Sequence, residues 1–230
     1  MTLDTSIGRL SLRRIRIVAL ALVVGDLLLI GGQVTICRPL LAQPDAVIYV
    51  AEPVVMLLIC AVAASWITAA LGDAHQIALR ESTMIGLSGG LLFIANLALE
   101  TFLDLPAPAN LLSTAPFFFA TFVLWGVAAY RVAGLTKSTL LGVLAAIWSA
   151  MCTILLTITF GFILAYVALP RLEQNLAGSP EFARSGWRDL HAFAIANQFD
   201  AAFSHLLVAV VIAMMVGTLG SLIRASARAG

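Results

Sequence analysis

Six runs of predominantly apolar residues dominate the chain, and short polar stretches separate them. Each run is long enough to cross a bilayer core of about 30 Å, because a helix rises about 1.5 Å per residue. The runs predict membrane-spanning helices over about 15–36, 53–71, 83–104, 110–133, 138–169 and 193–223. We therefore predict an all-α polytopic membrane protein, built as a bundle of six transmembrane helices.

Proline and glycine mark several ends of these runs. Pro53 suits the first turn of the second helix, where a proline loses only a backbone donor that has no partner. Gly72 suits the end of that helix. Pro106 and Pro108 interrupt the chain between the third and fourth helices.

The longest polar interval is 171–190, and it follows a fifth run of 32 residues that would extend about 48 Å as a helix. Such a helix must tilt or project from the membrane, because a perpendicular crossing needs fewer residues. Together the run and the interval predict a small external cap. No linker or separate soluble segment is visible, so we expect residues 1–230 to form a single transmembrane helical domain.

Composition agrees with this fold class. The chain is 61% hydrophobic and 11% charged, and its mean hydropathy of +1.03 lies outside the range of soluble globular proteins. A net charge of +1 gives no reason to expect nucleic acid as a partner. The three cysteines form no CxxC pair and are expected to be buried small residues: Cys37, Cys60 and Cys152.

The distribution of basic residues predicts the orientation. With six spans and an internal N-terminus, nine basic residues fall on the inner side: Arg9, Arg13, Arg14, Arg16, Arg80, Arg131, Lys137, Arg224 and Arg228. Four fall on the outer side: Arg38, Arg171, Arg184 and Arg188. Cytoplasmic loops carry the excess of Arg and Lys, so we expect both termini in the cytoplasm. The expected location is a cell membrane, specifically the bacterial inner membrane.

Four carboxylates lie within or beside the apolar runs: Asp26, Glu52, Glu100 and Asp200. Ionisable residues inside a membrane are costly, and they normally face the bundle interior or water. Asp26 lies ten residues beyond Arg16, or about 15 Å along a helix, which places it near the bilayer middle. We expect Asp26 to face protein or trapped water and to be protonated or bound to a cation at neutral pH.

Helical periodicity gathers polar residues on particular faces. In the first span Ala19, Asp26 and Gln33 share one stripe, because residues seven apart nearly superimpose. In the third span one face carries Gly86, Gly89, Asn96, Glu100 and Asp104, and Gly86 with Gly90 forms a GxxxG pair that permits close helix packing. In the sixth span Asn197, Asp200 and Ser204 form one seam, beside a second seam of His191, Gln198 and His205.

These faces predict a polar cleft between spans one, three and six, deepest at Asp26 and widening outward. Its candidate ion-binding residues are Asp26, Asn96, Glu100, Asn197, Asp200 and His205. Interfacial positions are the alternative for Glu52, Glu100 and Asp104; Glu52 precedes Pro53, which disfavours helical geometry. A further alternative makes Asp200 the N-cap of a shorter span 200–223, with 187–199 as an amphipathic surface helix.

Two classes of function compete for this cleft. Acids at mid-depth without fixed countercharges suit transport or conduction of a proton or a small cation. A non-catalytic membrane subunit, whose polar face packs on a partner or in a homo-oligomer, is the alternative. The lipid bilayer is the one partner that the composition itself requires.

Redox and enzymatic functions find less support. His191 and His205 lie fourteen residues apart, about 21 Å along a helix, a spacing similar to that of cytochrome b-type helices with two haems. The only other histidine, His75, lies in a predicted inner loop, so the axial ligands are incomplete and we predict no cofactor. No HExxH, GxSxG, P-loop or dinucleotide motif is present, and the spacing of the acids does not define a metal site.

Overall fold

The protein is described by a computed structural model over residues 12–72, 76–103 and 109–229. This described part contains eight α-helices and no strand: α1 (Leu12–Ile36), α2 (Ala46–Gly72), α3 (Gln76–Phe102), α4 (Ala109–Thr136), α5 (Thr139–Val167), α6 (Leu169–Leu176), α7 (Pro180–Ser185) and α8 (Leu190–Ala229). A short 3₁₀ helix, Arg38–Ala42, joins α1 to α2. Helices α1 to α5 and α8 are long and apolar enough to span a membrane, which confirms the predicted all-α bundle.

The bundle has two distinguishable ends. One, called here the basic end, carries the starts of α1, α3 and α5 and the ends of α2, α4 and α8. The arginines of α1, α3, α4 and α8 lie at this end. The other, called the cap end, carries the 3₁₀ helix, α6 and α7. Nearly all of the predicted fifth run forms α5, and the cap begins directly after it, because α6 starts at Leu169 with Pro170 in its first turn.

Two predicted helix starts were wrong. Helix α2 begins at Ala46, so Pro53 lies inside the helix and half-buried Glu52 is helical. Membrane helices tolerate an internal proline where neighbouring helices restore the lost backbone interactions. Helix α3 begins at Gln76, seven residues early, because its charged first turns extend the helix beyond the apolar run. The end of α2 at Gly72 was predicted correctly. Five residues named in the sequence analysis lie outside the described residues: Arg9, His75, Asp104, Pro106 and Pro108.

The last helix is continuous through its polar beginning. Helix α8 runs for 40 residues, and Asp200 lies in its third turn. The alternative that made Asp200 the N-cap of a shorter span was therefore wrong. The preceding residues, including Phe193 and Phe199, are buried against the bundle, so 187–199 is not a separate surface helix.

Helix α5 is the centre of the bundle. It packs against α1, α2, α3, α4 and α8, and most of its residues are buried. By contrast, fewer than half of the residues in the apolar part of each other span are buried. The position of α5 decides which polar groups can meet, because it separates α1 from most of α3.

Small residues let α3 approach α5 closely. A Cβ on Gly86 would come within 2.6 Å of the Ser149 carbonyl oxygen, so only glycine fits. The Thr153 hydroxyl donates to the Gly86 carbonyl over 2.8 Å, and the Trp148 indole donates to the Thr83 hydroxyl over 2.8 Å. The prediction that the Gly86 and Gly90 pair permits close helix packing is confirmed.

Replacement of Gly86 by leucine should destabilise the bundle by about 3 kcal/mol, because the added side chain forces α3 away from α5 and breaks these hydrogen bonds. Thermal unfolding in detergent measures the loss. Gly31→Leu is the matched control, since a Cβ on Gly31 meets nothing within 4 Å. Equal midpoints for the two variants would contradict the packing described here.

Aromatic residues and hydrogen bonds hold the cap to the bundle. The Trp187 ring packs edge-on against Tyr49, with 5.4 Å between centroids, and against Phe193 at 5.8 Å. The Arg171 guanidinium donates to the Thr101 carbonyl over 2.9 Å, which ties α6 to the end of α3. These contacts hold α6 and the segment after α7 against the ends of the long helices.

The three cysteines are buried free thiols, as predicted: Cys37, Cys60 and Cys152. Cys37 lies just beyond the end of α1, at the cap end. Burial raises the pKa of the Cys37 thiol, which keeps it in the unreactive protonated form. A packing role therefore accounts for this residue.

Candidate functional site

Asp26 is completely buried in the middle of α1. Ala19 and Gln33, on the same stripe, are buried as well, so the predicted stripe does face the bundle interior. Toward the basic end, Arg16 donates to the Thr68 hydroxyl over 3.0 Å and to the Ser65 carbonyl over 3.1 Å. Asp26 is about 15 Å from this anchored arginine along the helix, near mid-membrane depth.

The only hydrogen-bond partner of the Asp26 carboxyl among the described residues is Thr159 on α5. The Thr159 Oγ1 lies 2.7 Å from Asp26 Oδ1 and 2.9 Å from the Leu155 carbonyl oxygen. A hydroxyl has one proton to donate, so it serves one of these acceptors at a time. When Asp26 is ionised, the Thr159 hydroxyl donates a hydrogen bond to the carboxylate. When Asp26 is protonated, its carboxyl can donate to the Thr159 oxygen, and the Thr159 hydroxyl then donates to the Leu155 carbonyl oxygen.

Thr159 therefore accommodates both protonation states of Asp26 by rotation about one bond.

The two helices that pack most against α1 supply no countercharge nearby. Helix α5 contains no Asp, Glu, Lys, Arg or His, and the only such residue in α2 is Glu52, near the cap end. An ionised Asp26 would depend on Thr159 and on any water that reaches it.

Gln33 lies two turns from Asp26 toward the cap end. Its side-chain amide donates to the Phe162 carbonyl over 3.1 Å, which links α1 to α5 a second time. The remaining oxygens, Asp26 Oδ2 and Gln33 Oε1, are buried without a hydrogen-bond partner among the described residues. Each of these two oxygens can therefore accept a hydrogen bond from water, and Asp26 Oδ2 can also bind a proton.

A second polar site lies on the other side of α5. A cavity of about 70 Å³ opens between α3, α4, α5 and α8, with room for a few water molecules. Its polar lining consists of Asn96, Glu100, Thr157, Gln198 and His205. Of the predicted ion-binding residues, the structure thus brings together Asn96, Glu100 and His205.

Hydrogen bonds orient the groups around this cavity. The Asn96 amide donates to Glu100 Oε1 over 3.1 Å, and Asn96 Oδ1 is left buried without a partner in the described part of the chain. His205 Nδ1 lies 2.7 Å from the Ala201 carbonyl oxygen, which can only accept, so Nδ1 carries the proton. In neutral His205 the Nε2 lone pair is then available to bind a proton.

The predicted cleft between spans one, three and six was wrong in its location. Helix α5 stands between Asp26 and the cavity, so Asp26 is not the deepest point of a continuous cleft with Glu100. Asn197 is half-buried but does not line the cavity, and Asp200 lies on the exposed face of α8 with Ser204. The polar half of this helix is therefore divided between the cavity and the outer surface.

Phe162 lies beside both polar sites. It lines the cavity, it is almost completely buried, and its position on α5 is about 60° around the helix from Thr159. Its ring packs edge-on against Phe199 of α8, with 5.8 Å between centroids. Its backbone carbonyl accepts the hydrogen bond from Gln33, so Phe162 links the cavity to the stripe that holds Asp26.

The remaining candidates do not gather into a metal centre. Among the described residues, no three His, Cys, Asp or Glu side chains lie close enough to hold a metal ion, so Glu52, Glu100, Asp200 and His205 are not brought together. His191 lies on the cap, where its Nδ1 is 2.8 Å from Glu173 Oε1. It is thus outside the cavity that His205 lines.

Sequence reasoning missed Thr159 and Phe162. A threonine or phenylalanine in a helix that is apolar on every side carries no directional signal, because no polar stripe marks its face. The run TILLTITF holds three threonines, at 153, 157 and 159, which bond respectively to α3, to their own helix and to Asp26. Because these three partners lie in different directions, the spacing of the threonines did not single out Thr159.

Comparison with known proteins identified no relative of this chain. Searches with protein-family models, among curated proteins and among solved structures found no match to this chain. The function must therefore be argued from the geometry of Asp26 and the cavity.

Proposed function

We propose that this protein carries protons across the membrane, with Asp26 as the proton-binding residue at mid-depth. The observation that carries this proposal is the contact of Asp26 with Thr159, whose hydroxyl can satisfy either protonation state. A carboxyl with this property can take up and release a proton without rearranging its helix.

A proton suits the site better than a metal cation does. Hard cations such as Ca²⁺ take six to eight oxygen ligands, and even a small cation such as Mg²⁺ demands six. At Asp26 the carboxyl and the Thr159 hydroxyl supply three oxygens, and the other unpartnered oxygen on this stripe, Gln33 Oε1, lies two turns away. A proton needs only one lone pair.

In this proposal the cavity is the vestibule on the cap side. Glu100 lies at its exposed mouth, and His205 offers the lone pair of its Nε2 atom as a proton acceptor. Protons reach Glu100 and His205 from the solution, and Phe162 controls their passage to Asp26. Transfer past Phe162 requires a transient movement of its ring or entry of water.

The distribution of charge supports an orientation. The arginines of α1, α3, α4 and α8 lie at the basic end, and the cap end holds fewer basic residues. By the positive-inside rule we propose that the basic end faces the cytoplasm of a bacterial cell, with both termini there. The cavity then opens to the outside.

Replacement of Thr159 by valine should slow proton flux by about tenfold or more, because valine keeps the shape but removes the hydroxyl that satisfies ionised Asp26. Thr159→Ser should retain most of the flux. The measurement is proton uptake into liposomes that contain the purified protein and a pH-sensitive dye, driven by a potassium diffusion potential.

The matched control for this experiment is Thr218→Val. Thr218 is exposed on α8, and its hydroxyl donates only within its own helix, to the Met214 carbonyl. Wild-type flux in Thr159→Val would contradict the proposed role of the hydroxyl. A parallel loss in Thr218→Val would show that the assay reports general damage.

A membrane subunit without transport activity is the second candidate. Asp200 and Ser204 favour it, because they form a polar surface on the outward face of α8, where a partner chain could bind. The two candidates differ in one measurable respect: a subunit of this kind gives no proton flux on its own.

A further inference from the structure

A pocket of about 270 Å³ lies at the basic end, between α3, α4 and α8, away from Asp26 and the vestibule. Arg131 and Tyr130 of α4 and Arg224 of α8 line it, with Glu81 of α3. A terminal nitrogen of the Arg131 guanidinium lies 3.6 Å from Glu81 Oε2, and the Arg131 side chain is 58% exposed. Two arginines against one glutamate give the pocket a net positive charge.

The Arg224 guanidinium contacts Tyr130 on two sides in this pocket. One of its terminal nitrogens donates to the Tyr130 hydroxyl over 3.0 Å, and the guanidinium carbon lies 5.0 Å from the centroid of the Tyr130 ring. A Cβ on Gly134 would lie 3.0 Å from Arg224 Nε, so the glycine gives the side chain room to lie along α4. Within the described residues, Nε is buried without a hydrogen-bond partner.

An apolar groove continues from the pocket along the same face. The groove, about 480 Å³ in volume, lies between α4 and α8 and shares Tyr130 with the pocket. Its walls include Phe119 and Val123 on α4 and Leu219 on α8. From Tyr130 to Phe119 the groove extends about 16 Å along α4, close to half the thickness of a bilayer core.

We infer that this face binds an anionic phospholipid from the leaflet at the basic end, with its phosphate at Arg224 and Arg131 and an acyl chain in the groove. Guanidinium groups bind phosphate oxygens with paired hydrogen bonds, and basic pockets between membrane helices suit lipid headgroups. The continuous groove identifies a lipid as the ligand, because a soluble anion would use only the pocket. The inference does not depend on proton transport.

Thermal unfolding in a neutral detergent tests this inference. Palmitoyl-oleoyl phosphatidylglycerol should raise the unfolding midpoint of the wild-type protein by about 5 °C at saturation, and phosphatidylcholine with the same chains should raise it much less. Arg224→Gln should remove the difference between the two lipids. If Arg224→Gln does not fold, Arg131→Gln should reduce the difference.

Matched variants separate specific binding from general effects. Leu219→Trp fills the groove and should weaken the effect of phosphatidylglycerol, whereas Met215→Trp, exposed on the same helix outside the groove, should not. Arg80→Gln removes an exposed charge at the same end, outside the pocket, and should retain the effect. Equal stabilisation by both lipids, or full stabilisation by inorganic phosphate alone, would overturn the inference.

Discussion

Replacement of Asp26 by asparagine should abolish proton flux while the protein still folds. Asparagine preserves the shape of the side chain, and its Oδ1 still accepts a hydrogen bond from Thr159, but it cannot bind and release a proton. We expect a fall of at least about tenfold, to the rate of protein-free liposomes. The measurement is dye-reported proton uptake under an imposed membrane potential.

Stability should not fall with activity in this variant. A lone ionised Asp at the bilayer centre costs about 2.5–3.5 kcal/mol even on the lenient insertion scale, so its removal should leave the unfolding midpoint unchanged or raise it. A large drop in the midpoint would show that the Asp26 carboxyl is needed for packing. That result would favour a structural role over proton binding.

Asp200→Asn is the matched control, because it makes the same chemical change at an exposed carboxylate outside the cavity. It should retain wild-type flux. If both variants retain wild-type flux, the proposed transport through Asp26 is wrong. If the wild-type protein itself gives no flux, the subunit function takes its place, and a partner on the Asp200 face of α8 should then be sought.

Several features of the fold followed from periodicity alone. The number of spans came from the length of the apolar runs, and the burial of Asp26 came from its depth and from its stripe with Ala19 and Gln33. The close packing at Gly86 came from the GxxxG spacing. These predictions depend on one helix at a time, which is why the sequence was sufficient.

The arrangement of the helices could not be predicted in the same way. A polar stripe shows which face of a helix turns inward, but not which neighbour it meets. The prediction therefore joined Asp26 to Glu100 and His205, although α5 separates them. A clue lay in α5 itself, since a helix that is apolar on all sides is typically the buried one.

Asp200 shows a second limit of the pattern. Its polar seam was expected to face protein or water inside the bundle, yet the residue is exposed. Asp200 lies 24 residues from Arg224 along α8, or about 36 Å, which is more than the thickness of the bilayer core. At that depth an acid reaches the headgroup region, so it need not turn inward.

Replacement of Phe162 by alanine should join the vestibule to the Asp26 site. Removing the ring opens a space between a polar cavity and a buried carboxyl, and water is expected to enter because both sides offer polar partners. We expect faster proton flux than in the wild-type protein, together with a loss of about 3–5 kcal/mol in stability. The double variant with Asp26→Asn should lose the added flux.

Loosening of the bundle must be distinguished from opening of this one barrier. Phe160→Ala is the control, because Phe160 is half-buried on the far side of α5 and does not line the cavity. It should leave the flux unchanged.

Access to position 26 can be measured without any proton flux. A cysteine placed there by Asp26→Cys should react with a water-soluble thiol reagent about tenfold faster when Phe162 is alanine than when it is phenylalanine. The three native cysteines are buried and give a low background. Equal reaction rates in the two backgrounds would mean that Phe162 is not the barrier, and protons would then have to reach Asp26 along the α1 side of the bundle, past Gln33.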